Sequence, residues 1–438
     1  MRLPFILPEP FTGSSPAGFF AGMHVEDGNG NNRLGVMGMI GLALEGGGAR
    51  GAFHMGVIKA FLEEGYDIGG VTGTSIGALN GAVLVQGSFE EGYRIWENLT
   101  PSQLFDIDDE EYQRLIRRDF DRETALQFAA RIGGIIRNRG IDTSRLGQFL
   151  QGIIDEDKIR RSPMDFGLVT ISLSGLKPLE LYKEDIPKGQ MIDYLMASAN
   201  FPGFRLKVIE NKYYIDGGLY DNCPINLLAR KGYKEIYAIR TLGIGMFRNT
   251  RSPDVKVTQI LPSEPLGRIF DFSRELIRRN LKMGYYDGLR AIRGLKGKKY
   301  WIRPVEEDTV LRALYRLPEQ QITHLAGLLG LGHTGSRRML FERILPEIGN
   351  KLGLTGEADY QDIIIGLLER LAEEQRLYRY QIYDLKDFLA AIRTGKMPET
   401  MEEAGITAAI RNRITEGLTG KHRLLQAARM IAESLMLV

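Results

Sequence analysis

The sequence predicts an α/β fold: a largely parallel sheet with helices on both faces, followed by a helical C-terminal region. Two observations carry this reading. From Ile40 to about residue 305, short apolar runs alternate with helix-like segments, and beyond that point the strand patterns give way to charged, Leu-rich helical periodicity. Strands separated by helices require crossover connections, which produce parallel pairs and cover both sheet faces.

The elements follow in order. Residues 40–44 read as a buried strand. Residues 50–64 read as a helix, with Phe53, Val57, Ala60 and Phe61 on one side and Gly65 as its stop. Residues 71–74 form a second strand and 76–85 a second helix. Residues 166–172 and 235–240 are later strands, and 207–216 is a hairpin centred on Glu210-Asn211-Lys212. Residues 336–348, 360–392 and 421–437 have helical periodicity, with joints at Gly353, Gly356, Gly395 and Pro398. Upstream, Pro4, Pro8, Pro10 and Glu9 interrupt an apolar run, and 27–33 is rich in Gly and Asn. The expected division is a disordered or non-native extension over 1–38, a catalytic domain over 39–305 and a helical region over 306–438.

Composition narrows the function classes. The 438 residues carry 57 Lys+Arg against 55 Asp+Glu, a net charge of +2, so no global excess argues for nucleic acid. One cysteine, Cys223, rules out an intrachain disulfide and a cysteine-based zinc cluster. Reducing, cytoplasmic surroundings fit that usage. No stretch offers the roughly 18 uninterrupted apolar residues a membrane-spanning helix needs.

Three motifs carry chemistry. Gly46-Gly47-Gly48-Ala49-Arg50-Gly51 lies between a strand and a helix. Its glycines let backbone N–H groups approach a ligand, and the helix N-terminus adds positive partial charge, so the loop suits an anion. It also satisfies the dinucleotide pattern G-x-G-x-x-G. That reading wants an acidic residue about 20 positions on, and Asp67 comes sooner, ahead of the second strand. The second motif, Gly73-Thr74-Ser75-Ile76-Gly77, is G-x-S-x-G between strand and helix, the context of a nucleophile elbow. Gly73 and Gly77 give the turn room, and Gly81 one turn later lets helix and strand pack closely. The Ile76 N–H is a candidate oxyanion donor, joined by those of Gly47 and Gly48.

A Ser-His-Asp triad would need a downstream histidine. The five histidines are His24, His54, His324, His333 and His422. One lies in the N-terminal extension, three in the helical region, and His54 on the first helix, where packing or a helix-surface role is expected. The base is therefore sought elsewhere. Ile215-Asp216-Gly217-Gly218 supplies a carboxylate at a strand end, followed by two glycines. A plain turn aspartate is the competing reading there. Cys223 reads as a small buried side chain.

The three motifs in this order, with Ala197-Ser198-Ala199-Asn200-Phe201-Pro202-Gly203-Phe204 and Asp221-Asn222-Cys223-Pro224-Ile225-Asn226, resemble the patatin-like phospholipase family over about residues 40–302. The resemblance implies a three-layer α/β/α fold with a mostly parallel central sheet. It implies a serine-dependent carboxylic ester hydrolase of phospholipase A or lysophospholipase type. Ser75 is then the nucleophile and Asp216 the base of a Ser-Asp dyad. Gly46, Gly47, Gly48, Arg50 and Ile76 make the oxyanion hole, with Arg50 at the loop's usual basic position. Phospholipids, lysophospholipids or neutral lipids are the implied substrates, and no metal or cofactor is required. A soluble-substrate esterase or thioesterase, a nucleotide-binding protein and a non-catalytic lipid-binding protein are the alternatives. Residues 268–303 carry eleven Lys/Arg against three Asp/Glu, with Ile277, Leu281, Tyr285, Leu289 and Ile292 at helical spacing. This stripe either lies on an anionic bilayer or packs on the core. The expected location is cytoplasmic, with peripheral membrane contact through that segment.

Overall fold

The computed structural model describes residues 39–104, 143–332, 336–354, 356–395 and 420–436. The expectation for 1–38 lies outside these residues, as do His24 and His333. Eight strands form one sheet: β1 (Ile40–Leu44), β2 (Ile68–Thr74), β3 (Asp165–Ser172), β4 (Lys177–Tyr182), β5 (Lys207–Ile209), β6 (Lys212–Asp216), β7 (Glu235–Ile239) and β8 (Lys256–Ile260). Their order is β5-β6-β3-β2-β1-β7-β8, with β4 also paired to β3. Pairs β1/β2, β2/β3, β1/β7 and β7/β8 are parallel. Pairs β3/β4, β3/β6 and β5/β6 are antiparallel.

The strands read as apolar runs because both faces are covered. Along β1, Ile40, Leu42 and Leu44 enter one core cluster with Phe53, Val57 and Phe61 of helix α1 (Ala52–Glu63). Ala43 points the other way, into a second cluster with Ile225 and Leu228 of the helix Ile225–Arg230. Helices lie on both sides of a mostly parallel sheet, as the alternation predicts.

The hairpin turns through Glu210 and Asn211, both at positive φ (47° and 64°), a two-residue turn whose twist matches that of the strands. Strands β4 and β8 carry no strong sequence signal. β4 holds Pro178, and no residue along it is fully buried, so packing against β3 rather than local pattern selects it.

The helix Arg274–Arg293 resolves the two readings of the basic segment. Ile277, Leu281 and Leu289 are buried. The small residues Gly56, Gly284 and Gly288 bring its backbone close to that of α1. The apolar stripe is a core contact, so it is unavailable to a bilayer.

Downstream, residues from Tyr300 to Leu435 share a separate apolar cluster built mainly from helices. The expectation of one helical stretch over 360–392 is corrected. The helix Tyr360–Glu374 ends in a Schellman motif: Arg376 sits at φ 55°, the Leu377 N–H donates to Ala372 O and the Arg376 N–H to Glu373 O. Arginine rather than glycine fills the left-handed position, which hid the stop. A short strand, β10 (Ile382–Tyr383), follows and pairs with β9 (Trp301–Ile302) before the helix Leu385–Thr394 begins.

Candidate active site

Strand register brings the serine and the aspartate together. On β3, Val169 is opposite Thr74 of β2, and the next residue, Thr170, is opposite Asp216 of β6. β2 ends where β6 arrives from the opposite direction along the same edge of β3. Ser75 leaves β2 at that junction, beside Asp216, although 141 positions separate them in sequence.

Ser75 sits at φ 55°, ψ −126°, immediately before helix α2 (Ile76–Val85). This is a strained conformation for a residue with a side chain. Gly73 and Gly77 make it attainable: a Cβ on Gly73 would run into the Gly77 backbone, and one on Gly77 into the Leu44 carbonyl. The Ser75 N–H donates to Ser198 Oγ (3.0 Å), whose hydroxyl donates to Val169 O (2.7 Å). Ser198, at the end of the helix Met191–Ser198, thus pins the elbow to β3. It lies in the quoted 197–204 stretch, but its spacing gave no sign of this role.

Asp216 is 5% exposed. Its N–H donates to Asn200 O (2.9 Å), and its Oδ1 accepts from the Gly218 N–H (2.7 Å). Burial pushes its carboxyl up to about 6, while hydrogen bonds from Gly218 N–H and the Ser75 hydroxyl partly oppose the rise. The carboxylate therefore faces the serine hydroxyl in a nearly dry setting. Asp221 is also buried, which raises its carboxyl to about 7. It serves a different contact, accepting from the Cys223 N–H (3.3 Å), and its backbone carbonyl accepts from Thr74 Oγ1 (2.8 Å). Cys223 is fully buried, and burial raises its thiol well above the ordinary range.

The glycine loop is held from beneath by Glu45, Arg240 and Thr241, which sequence reasoning missed, and by Arg50. Buried Glu45 accepts from the N–H groups of Thr241 (2.7 Å) and Leu242 (2.8 Å) and pairs with Arg240 (3.1 Å). Thr241 Oγ1 donates to Gly46 O (2.5 Å). The Arg50 guanidinium donates to Gly267 O (2.8 Å) and Leu242 O (2.6 Å) and is turned into the structure. Several loop N–H groups are already used: Gly46 donates to Asn222 O, Ala49 to Ile269 O and Arg50 to Gly47 O. The N–H groups of Gly47, Gly48 and Ile76 have no hydrogen-bond partner among the described residues. Of the five expected oxyanion residues, then, three present a free N–H, whereas those of Gly46 and Arg50 are engaged in holding the loop.

His54 is fully buried rather than on the helix surface. Its Nδ1 meets Asn80 Nδ2 at 3.3 Å, and burial depresses its imidazolium to about 3. Ser75 itself is partly exposed. A cavity of about 680 Å³ lies elsewhere, between Gln86, Gln151, Asp155 and Lys188, and touches neither Ser75 nor Asp216.

A family model described as "Patatin-like phospholipase" matches residues 42–229, which span both motif turns and Asp216. Residues 42–229 are a patatin-like phospholipase domain. The patatin-like domain resembles "Lysophospholipase NTE1" of Kluyveromyces lactis, 27% identical over 205 residues, 46% of this chain and 12% of that one. It also resembles an uncharacterized NTE family protein of Mycobacterium tuberculosis, 28% identical over 191 residues, 43% of this chain and 45% of that one. The match thus spans under half the length of either relative. Among solved structures, VipD from Legionella pneumophila aligns over 90% of this chain and 91% of its own, at 13% identity and a TM-score of 0.37. Among the described residues, no helix is long and apolar enough to cross a membrane.

Proposed function

We propose that the patatin-like domain hydrolyses carboxylic esters of phospholipids or lysophospholipids through Ser75 and Asp216. The observation that carries this reading is the register of β3, which sets a strained elbow serine beside a buried carboxylate. The Ser75 Oγ attacks the ester carbonyl carbon as its proton passes to Asp216. The N–H groups of Gly47, Gly48 and Ile76 receive the developing oxyanion, each worth about 3 kcal/mol in such sites. The carbonyl–oxygen bond to the alcohol breaks, and the leaving oxygen takes the proton from Asp216. Water then attacks the acyl-Ser75, giving its proton to Asp216, and Ser75 leaves with a proton as the fatty acid departs. An ordinary aspartate is a weak base, and a carboxyl raised to about 6 is better matched to neutral pH. Catalysis is assigned to residues 39–305.

A fluorophosphonate probe is expected to label the wild type and not Ser75→Ala. Labelling that persists in the alanine variant rejects Ser75. Asp216→Asn is expected to fold and lose turnover, with Asp221→Asn losing less. Mass spectrometry of products from mixed phospholipids, lysophospholipids and triacylglycerol identifies the substrate class.

A further inference from the structure

Immediately after β7 the chain crosses the edge of the site as Leu242-Gly243-Ile244-Gly245-Met246. Both ends of this loop are stitched to the site. Leu242, at φ 51°, gives its N–H to Glu45 Oε2 (2.8 Å) and receives Arg50 Nη1 on its carbonyl (2.6 Å). The Met246 N–H donates to Gly218 O (2.8 Å), and Met246 O accepts from the Asn222 N–H (2.7 Å). The loop therefore joins the glycine loop to the turn that follows Asp216.

Its polarity is inverted. Leu242 is 53% exposed, Ile244 53% and Met246 49%, and Leu219 of the adjoining turn is 46% exposed. The flanking arginines face inward instead. Arg240 pairs with Glu45 and lies 3.7 Å from the Phe247 ring centre. Arg248 donates through Nε to Tyr220 O (2.7 Å) and lies 4.0 Å from the Tyr220 ring centre. No residue from Thr241 to Phe247 is charged. A loop facing only water would show the opposite arrangement, and clustered exposed apolar side chains mark a contact surface.

We propose that Leu219, Leu242, Ile244 and Met246 form a docking rim that enters the surface of a lipid bilayer and sets the Ser75 opening against it. The occupant is hydrocarbon beneath an uncharged or zwitterionic surface, because the tip has no charge and the nearby guanidiniums are already engaged. The rim takes over the membrane role that the sequence offered to 268–303, whose apolar stripe is buried. This inference rests on the ester-hydrolase reading for the identity of the occupant. Short apolar loops gain binding by burying area at the headgroup boundary.

The test is co-sedimentation of the full chain with phosphatidylcholine vesicles, for the wild type and for Leu219→Ser/Ile244→Ser/Met246→Ser. Leu242 is left intact because it is the rim residue held at a positive φ (51°), whereas the Met246 contacts run through its backbone N–H and O and persist in the serine variant. The wild type is expected to bind with little dependence on salt. The triple variant is expected to bind roughly a hundredfold more weakly, from the loss of three buried apolar side chains. Hydrolysis of 4-nitrophenyl butyrate and fluorophosphonate labelling are expected to stay at the wild-type level, which also shows that the variant folds. Equal vesicle binding by both proteins overturns the proposal. So does a wild-type dimer that the triple substitution dissociates with no vesicle binding in either, because the rim would then face a second copy. Vesicle binding lost in the variant while the wild type neither labels nor hydrolyses the butyrate ester leaves the rim standing and removes the hydrolase reading.

Discussion

Ser75 holds a left-handed backbone, φ 55° and ψ −126°, with a side chain attached. Residues in such regions store about 1–3 kcal/mol, and the surrounding contacts must hold them there. Relief of that strain is measurable: Ser75→Gly is expected to be inactive yet more stable by on the order of 1 kcal/mol in urea unfolding. Asp216 gives a second residue-scale prediction. Its folded value of about 6 lies above the ordinary 3.8. The folded state therefore binds more protons between those values, and this group's contribution to stability falls as pH rises from about 4 to 6. Asp216→Asn removes that ionisation. It is expected to stabilise the protein above pH 6 by up to about 3 kcal/mol and to give no such gain below pH 4. Under the proposed mechanism Asp216 acts in its ionised form, so kcat/KM on a soluble ester is expected to rise with pH through an apparent value near 6.

At the scale of elements, the site is a consequence of how β2 and β6 end against the middle of β3. The elbow requires α2 to begin hard against β1. Gly77→Ala would set a methyl group against the Leu44 carbonyl, so a loss of roughly 2–3 kcal/mol is expected in denaturant unfolding. Ser198→Ala leaves the Ser75 N–H without its acceptor. The expected result is a fall in kcat with KM little changed, because the elbow is repositioned rather than the substrate contact removed. The elements legible in advance were those with a local signature: β1, α2 and the hairpin turn. β4 and β8 escaped because their pattern is weak and their partners supply the stabilisation. The break after Glu374 escaped because arginine, not glycine, occupies its left-handed position.

At the scale of the whole molecule, a strap among the described residues connects the helical region to the glycine loop. Arg379 donates to Ser263 Oγ (2.7 Å), pairs with Glu264 (2.6 Å) and lies 4.8 Å from the Trp301 ring centre. A few residues further, Gly267 O accepts from Arg50 Nε and Ile269 O from the Ala49 N–H. Residues 263–269 thus link the C-terminal region to the loop that carries the free N–H groups. Arg379→Ala is expected to lower kcat on a soluble ester roughly tenfold through a misplaced glycine loop, with KM nearly constant. Arg379→Lys is expected to restore part of it. Unchanged kcat in the alanine variant would show that the strap does not position the loop.

The α/β class, the two glycine-bounded turns, the Asp-Gly-Gly strand end and the helical character of the C-terminal region are all legible in the amino-acid order. Each is written in nearest-neighbour chemistry, through periodicity, glycine placement and strand-to-helix succession. Long-range pairing sets Thr74 and Asp216 against consecutive residues of β3, makes Glu45 and Arg50 brace the glycine loop, and turns the stripe of the helix Arg274–Arg293 toward α1. These depend on which distant segments pair, and that choice is a sum of many weak contacts that no short motif records.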